Sequence, residues 1–398
     1  AEAKGRNVTY IKGFPADKDE ADPDELARAV EAAAAADAVV IFAGLPDSFE
    51  SEGYDRKDMK MPACQNELIE AVLSAQPDTA VVLHNGSPVE VPWADRAGAI
   101  LEMYLGGQGI GEAEDALLFG EANPSGHLAE TFPMRVQDNP SYLFFPGNGK
   151  KVVYAEGVYV GYRYYEKKEI PVRWAFGHGL SYTQFEISNV RLDRSEIDDD
   201  SEVLVSVDVR NTGDREGKEV VQLYVSDLNG TPDRPVKELK GFGKISLKPG
   251  ETGMVTFVVK ARDLSYYSTE IGDWYAPSGT YGLLIGDASD NISVRAELSF
   301  TTKKTIPLKI AGDTIVSDLV ADPRTEPVVR DLINDVRRMF EGDTAGSGED
   351  GGLGAGADEL ADAMLMSMPL KSLTGFCGVP EEQVEELYAA LKAAAAEA

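Results

Sequence analysis

Residues 38–56 read AVVIFAGLPDSFESEGYDR, a short β-branched run that ends at a glycine and gives way to a polar, acidic loop. Such a run bounded by turn residues reads as a strand, here Ala38–Ala43. Working outward, similar runs occur at Val8–Ile11, Ala80–Leu83 and Ala99–Tyr104, and helical patterns lie between them at Pro23–Ala36, Ala63–Ala75 and Gly111–Phe119. This βαβαβαβ order predicts a parallel sheet with crossover helices. In open parallel sheets, ligands bind outside the carboxyl ends of the strands. The loops Leu45–Arg56, His84–Trp93 and Leu105–Glu112 are therefore expected to gather at one edge, and each is richer in Gly, Ser, Asn and carboxylate than a plain connection requires. Four strands are few for this class, so the domain reads as incomplete at its N-terminus.

Downstream the pattern changes. Residues 133–184 are aromatic and turn-rich, which predicts a packed connection, since its Tyr and Phe side chains need burial. From Phe185 to Phe300, strand-like runs such as EVVQLYVSD and GMVTFVVK recur at short intervals with turn signals between them. That spacing predicts a seven-strand antiparallel sandwich of immunoglobulin or fibronectin type III kind. The expected organisation is an α/β sandwich domain over 1–132, the connection over 133–184 and the all-β sandwich over 185–302. An extension over 303–340, an acidic Gly-rich linker over 341–357 and a helical tail over 358–398 complete it.

Charge and composition narrow the function. The 398 residues hold 68 Asp and Glu against 38 Lys and Arg, a formal net charge of -30. Such a surface repels phosphate backbones and anionic lipid, which argues against nucleic acid and membranes as partners. No apolar run approaches the ~20 residues a bilayer span needs. Cys64 and Cys377 lack the spacing of a disulfide framework, and neither they nor His84 and His178 have metal-ligand spacing. Gly106, Gly107 and Gln108 lack the lysine of a phosphate loop and the dinucleotide fingerprint, so tight packing at the domain junction is the expected use of the two glycines, and no cofactor is expected. Met364, Met366 and Met368 in the tail read as core filler. The opening residues AEAKGRNVTY show neither an initiator methionine nor a signal-peptide pattern. The lack of a disulfide pair tilts localisation toward the cytoplasm, with secretion as the alternative.

Several long motifs occur in a fixed order: ESEGYDR at 50–56, NGSPVEVPW at 85–93, NPSGHLAETFP at 123–133, VGYRYYEKK at 160–168, FGHGLSYTQFE at 176–186, NTGDREGKEVVQLYV at 211–225 and RPVKELKGFGKISLKPGE at 234–251. In these the chain resembles the C-terminal half of family 3 glycoside hydrolases, the β-glucosidase family, over roughly residues 1–302. The resemblance implies an architecture of (β/α)8 barrel, α/β sandwich and fibronectin type III-like domain. It implies that a barrel aspartate is the nucleophile and that the α/β sandwich lends the general acid/base. Barrel and opening sandwich strands are not in this sequence, so a barrel-bearing chain or fragment is an expected partner, and a homo-oligomer is also compatible.

Retaining hydrolysis needs one carboxylate to attack the anomeric carbon and a second carboxyl, about 5–5.5 Å away, to protonate the departing oxygen. By resemblance, Glu52 is the candidate acid/base and Glu50 the second choice. A general acid is expected to be partly desolvated or to have a carboxylate neighbour. Asp55 and Arg56 are expected to pair with each other or to brace the loop. The implied activity is that of a retaining exo-β-glycosidase, foremost a β-glucosidase acting on a β-glycoside substrate. A β-xylosidase or arabinosidase is the alternative within the family, and a noncatalytic structural or carbohydrate-binding fragment the alternative outside it.

Overall fold

The computed structural model describes residues 7–15, 18–330, 333–334 and 363–396. The chain divides into two units, Ala1–Ser265 with Ala276–Thr301, and Tyr266–Tyr275 with Thr302–Ala398. No helix among the described residues is long and apolar enough to cross a membrane.

The first unit opens with helix α1, Pro23–Ala35, whose start is fixed by Asp22: its carboxylate accepts from the amides of Asp24 at 2.9 Å and Glu25 at 3.3 Å, and Pro23 takes the first helical position. Strand β1 is Val39–Gly44, helix α2 Ala63–Ala75, strand β2 Thr79–His84 and strand β3 Ala99–Glu102. The strands pair in parallel in the order β1-β2-β3, with Val39 opposite Thr79 and Ala80 opposite Ala99. Helix α2 buries Leu68, Ile69, Val72 and Leu73 against this sheet's apolar cluster, which includes Ile41, Val81 and Leu83. Helix α3, Ile110–Leu118, follows β3.

Val8–Ile11 is not a strand. Its residues pair with nothing among the described residues, and Val8 and Tyr10 are 65% and 86% exposed. A β-branched run expresses strand propensity only when a neighbouring ladder accepts it. Among the described residues the order is therefore αβαβ, then β3 and α3, with three strands rather than four. β3 also stops at Glu102 rather than Tyr104, because Tyr104 takes φ 52° in the left-handed region.

The connection includes the short antiparallel pair β4, Phe132–Pro133, and β5, Val172–Trp174, and helix α4, Tyr162–Lys167. Tyr162 and Tyr165 are buried, and Tyr162 stacks near Phe176 with centroids 4.9 Å apart. Burial is incomplete, however: Tyr142, Leu143, Phe145, Val153 and Tyr154 are exposed.

Beyond it lies a β sandwich. One sheet contains β6 (Phe185–Leu192), β8 (Glu202–Asn211) and β11 (Thr252–Lys260) in the order β11-β8-β6. The other contains β7 (Glu196–Asp198), β9 (Gly217–Asp227), β10 (Glu238–Leu247), β14 (Gly279–Gly286) and β15 (Ile292–Thr301) in the order β10-β9-β14-β15-β7. Alternate residues Val203, Val205, Val207 and Val209 of β8 point into the core with Leu223, Leu283 and Leu298 of the facing sheet. Seven strands pair antiparallel as the sequence spacing suggests, and β7 is an eighth that pairs parallel to β15. Only Ile197 anchors it, too little for an alternation pattern to be read from three residues. The NTGDREG turn is organised by buried Asn211, which donates to the carbonyls of Arg215 and Leu247 and accepts from Thr183.

The second unit contains the antiparallel pair β12 (Tyr266–Ser268) and β13 (Asp273–Tyr275), helix α5 (Val316–Ala321) and helices at Leu373–Cys377 and Glu381–Ala396. Ile310, Leu319, Val329, Leu370, Leu373 and Leu391 form its core. Met368 is buried there and Met366 packs against it, as expected of filler, whereas Met364 is 48% exposed. The acidic Gly-rich stretch 341–357 lies outside the described residues.

Candidate active site

Gly44 ends β1, and a side chain there would place Cβ 2.0 Å from the His84 carbonyl oxygen, so only glycine lets β1 and β2 come this close. Gln65 of α2 reads both backbone groups of Gly44, accepting from its amide at 2.9 Å and donating to its carbonyl at 2.8 Å. The base of the acidic loop is thereby pinned to a helix.

From Leu45 the loop turns on itself: the amides of Phe49 and Glu50 both donate to the Pro46 carbonyl, and the Tyr54 hydroxyl donates to the Asp47 carbonyl. Glu50 is committed to this framework. Its carboxylate accepts from the Gly86 amide at 2.6 Å and the Ser87 hydroxyl at 3.2 Å, and lies 3.7 Å from the Arg56 guanidinium. Arg56 in turn donates to Ser87 Oγ at 2.7 Å and to the carbonyls of Ser87 and Pro88. Arg56 braces the loop as expected, but through Glu50 and Ser87. Asp55 is exposed and forms no ion pair with Arg56.

Glu52 has the opposite environment. It is exposed, and among the described residues nothing hydrogen-bonds or ion-pairs with it. Gly53 follows at φ 91° with nothing within 4 Å of its would-be Cβ, a turn into open space. The desolvation expected of a general acid is therefore not supplied by this chain's own loop.

The structure also assembles groups that the loop sequence does not announce. Glu102, at the end of β3, accepts from the Tyr104 amide at 2.9 Å and from Asn85 Nδ2 at 3.3 Å. Burial pushes its carboxyl up to about 7, the nearby Glu130 and Glu50 add to this, and the two hydrogen bonds oppose it. Glu130 accepts from the Tyr104 hydroxyl at 3.1 Å and is likewise raised by burial. The one sequence signal was a carboxylate inside the apolar run AILEMY, since buried charges are rare without a purpose.

Of the other candidates, His84 Nε2 lies 3.0 Å from Glu114 Oε1 and its ring stacks on Phe42. His178 stacks on Trp174 instead of joining a ligand set. Gly106 packs on Ile110 of the helix that follows it, where a Cβ would come within 2.7 Å of the side chain, but Gly107, at φ 67°, meets nothing within 4 Å, so the packing is local and not that of a domain junction. Among the described residues no cluster of three His, Cys, Asp or Glu is arranged to hold a metal ion.

An open parallel α/β domain with an acidic loop at the carboxyl edge of its strands, followed by a fibronectin-like sandwich, defines the class. Residues 4–162 match the model of the glycosyl hydrolase family 3 C-terminal domain, and residues 219–289 that of the fibronectin type III-like domain. The chain carries the C-terminal half of the glycosyl hydrolase family 3 architecture. It is 43% identical over 383 residues to thermostable β-glucosidase B of Acetivibrio thermocellus, covering 96% of this chain and 49% of that protein. It is 44% identical over 275 residues to a β-glucosidase of Kluyveromyces marxianus, covering 68% of this chain and 32% of the relative. The crystal structure of the GH3 β-glucosidase of Bifidobacterium adolescentis superimposes with a TM-score of 0.76 at 39% identity, over 82% of this chain and 48% of that one. The chain thus spans about half the length, or less, of these relatives.

Proposed function

We propose that this chain supplies the general acid/base of a retaining exo-β-glycosidase, with β-glucosides as substrates, and that Glu52 is the catalytic group. The observation that carries this is the contrast within one loop: Glu50 is consumed by the framework, while Glu52 is unengaged and presented at the strand ends where α/β sheets bind ligands. An acid/base must exchange its proton with the glycosidic oxygen and then with water, which a carboxylate locked by an arginine and two donors does poorly. The names of the relatives support glucose over xylose or arabinose.

The nucleophile belongs to a barrel segment in this reading, and the surface of that segment supplies the desolvation that Glu52 lacks. Val40 and Phe42 of β1, 39% and 48% exposed, are apolar area suited to such a cover. Residues 1–132 form the catalytic contribution and 185–302 the scaffold. The test is complementation. The purified 398-residue chain is expected to be inactive on aryl β-glucoside and to gain activity when combined with a barrel-bearing segment, faster on glucoside than on xyloside. Robust turnover by the chain alone would place the nucleophile within it and overturn the reading.

A further inference from the structure

Glu52 makes no hydrogen bond or ion pair of its own among the described residues, so its place is set by what holds the loop on either side of it. Glu50 stands just before it and Arg56 shortly after, and both are fastened to one turn beyond the carboxyl end of β2, residues 86–88. That turn is a firm base. It lies between the buried residues Asn85 and Val89, and Asn85 Nδ2 donates to the Ser87 carbonyl at 3.0 Å. Past the loop, the Glu90 amide donates to the Met59 carbonyl at 2.7 Å, which keeps the two segments side by side.

The two fastenings meet on one atom. Glu50 and Arg56 are 3.7 Å apart, too far for a direct hydrogen bond. Ser87 Oγ fills the interval: it accepts from Arg56 Nη1 at 2.7 Å and donates to Glu50 Oε1 at 3.2 Å. The other two bonds of the guanidinium, to the carbonyls of Ser87 and Pro88 at 3.4 and 3.3 Å, also leave from Nη1, while Nη2 is buried without an acceptor among the described residues. Arg56 is thus anchored on the turn, and its shortest bond is the one to the hydroxyl. A hydroxyl between a guanidinium and a carboxylate is polarised from both sides, so each of its bonds strengthens the other.

We propose that Ser87 is a positioning residue for proton transfer: its hydroxyl closes residues 50–56 into a ring on the turn and thereby fixes where Glu52 stands. Its catalytic meaning rests on the reading of Glu52 as the acid/base; the ring itself does not. Within the ring the backbone has a permissive point at Gly53, φ 91°, and one further tether, the Tyr54 hydroxyl on the Asp47 carbonyl. Without the Ser87 hydroxyl, Glu50 keeps its bond to the Gly86 amide, but the Arg56 end of the ring is released and the segment 51–55 swings about Gly53. A misplacement of about 1 Å near a reacting group can cost on the order of 100-fold in rate.

Two measurements test this with Ser87→Ala, which removes the hydroxyl, and Ser87→Thr, which keeps it. The first uses the 398-residue chain and an arginine-specific protease, which cleaves after Arg56 only when the guanidinium has left the turn. Cleavage there is expected to be at least about tenfold faster in Ser87→Ala and near the unaltered rate in Ser87→Thr, with cleavage after Arg96 unchanged in both. The second uses a complex reconstituted with a barrel-bearing segment. Ser87→Ala is expected to lower kcat/KM on methyl β-glucoside about 10- to 100-fold and to leave kcat/KM on dinitrophenyl β-glucoside nearly unchanged, because only the alkoxide must be protonated to leave. Ser87→Thr is expected to restore the value on the methyl glucoside. A residue that only stabilises the fold would lower both substrates together and speed cleavage after Arg96 as well. Glu52→Ala keeps the two readings apart: if it shows no leaving-group dependence, the acid/base assignment fails and the positioning role with it, while cleavage after Arg56 still decides whether the hydroxyl holds the loop. Unchanged cleavage after Arg56 in Ser87→Ala, equal losses in Ser87→Ala and Ser87→Thr, or equal loss on both glucosides would each overturn the proposal.

Discussion

Glu50 and Gly86 come from different strand ends yet meet directly, the Gly86 amide donating to Glu50 Oε2 at 2.6 Å. A Cβ at residue 86 would stand 3.0 Å from Glu50 Oε1, a tight contact that the end of the Glu50 side chain would have to relieve by a few tenths of an ångström. The charged loop is therefore held by backbone as much as by Arg56.

Substitution at either end of this contact should loosen the loop. Gly86→Ala must displace a carboxylate that the Ser87 hydroxyl and Arg56 also hold. Glu50→Gln keeps the shape but removes the charge facing Arg56, at a cost of about 1.5–3 kcal/mol for a charge-assisted contact. Both are expected to lower the midpoint of urea unfolding and to increase proteolysis within residues 45–58. An unchanged midpoint for both would show that the clamp carries no stability.

A second prediction concerns pH and the junction between the α/β domain and the sandwich. His127 Nε2 lies 3.1 Å from Glu219 Oε1, while its Nδ1 faces the carbonyls of Gly177 at 2.6 Å and Asp287 at 3.2 Å. Both ring nitrogens face acceptors, which suits the imidazolium. Burial works against that charge, but the Glu219 and Gly177 hydrogen bonds outweigh it and raise the pKa above 6.5. Because the folded value is the higher one, the stabilisation is complete below the unfolded value of about 6.5 and is lost as pH rises through the folded one. Glu219→Gln should thus lower Tm clearly at low pH, with the deficit shrinking as the solution becomes alkaline. A deficit that grows with pH would contradict the assignment.

The sandwich is expected to act as scaffold. Leu223 is 1% exposed at its centre, and Leu223→Ala should cost about 2–5 kcal/mol. Phe242 on β10 is 72% exposed, and Phe242→Ala should change neither stability nor the KM of the assembled enzyme. A marked rise in KM from Phe242→Ala would instead favour a carbohydrate-binding surface on this domain.

The sequence made some of this visible and not the rest, for physical reasons. Helix α2 and the strands β1 and β2 were readable because apolar periodicity and turn residues are local signals, and α2 begins and ends where its pattern does. Val8–Ile11 misled because propensity does not reveal whether a partner strand is present. In the site, resemblance pointed to the loop, but the contrast in environment between Glu50 and Glu52 depends on Gly86, Ser87 and Arg56, contacts across more than thirty positions for the first two. Glu102 and Glu130 were invisible as a pair, since only the fold brings them to one tyrosine.

The central claim, that Glu52 moves the proton, is tested most directly by azide rescue in a complex reconstituted with a barrel-bearing segment. Glu52→Ala should severely slow hydrolysis of alkyl glucosides, whose alkoxide must leave unprotonated, while an activated aryl glucoside should still form the glycosyl-enzyme. The second step then stalls for want of a base, and azide should restore turnover and yield glycosyl azide. Glu50→Ala should show neither the leaving-group dependence nor the rescue. Azide rescue in Glu50→Ala alone, or identical behaviour of the two variants, would contradict the assignment.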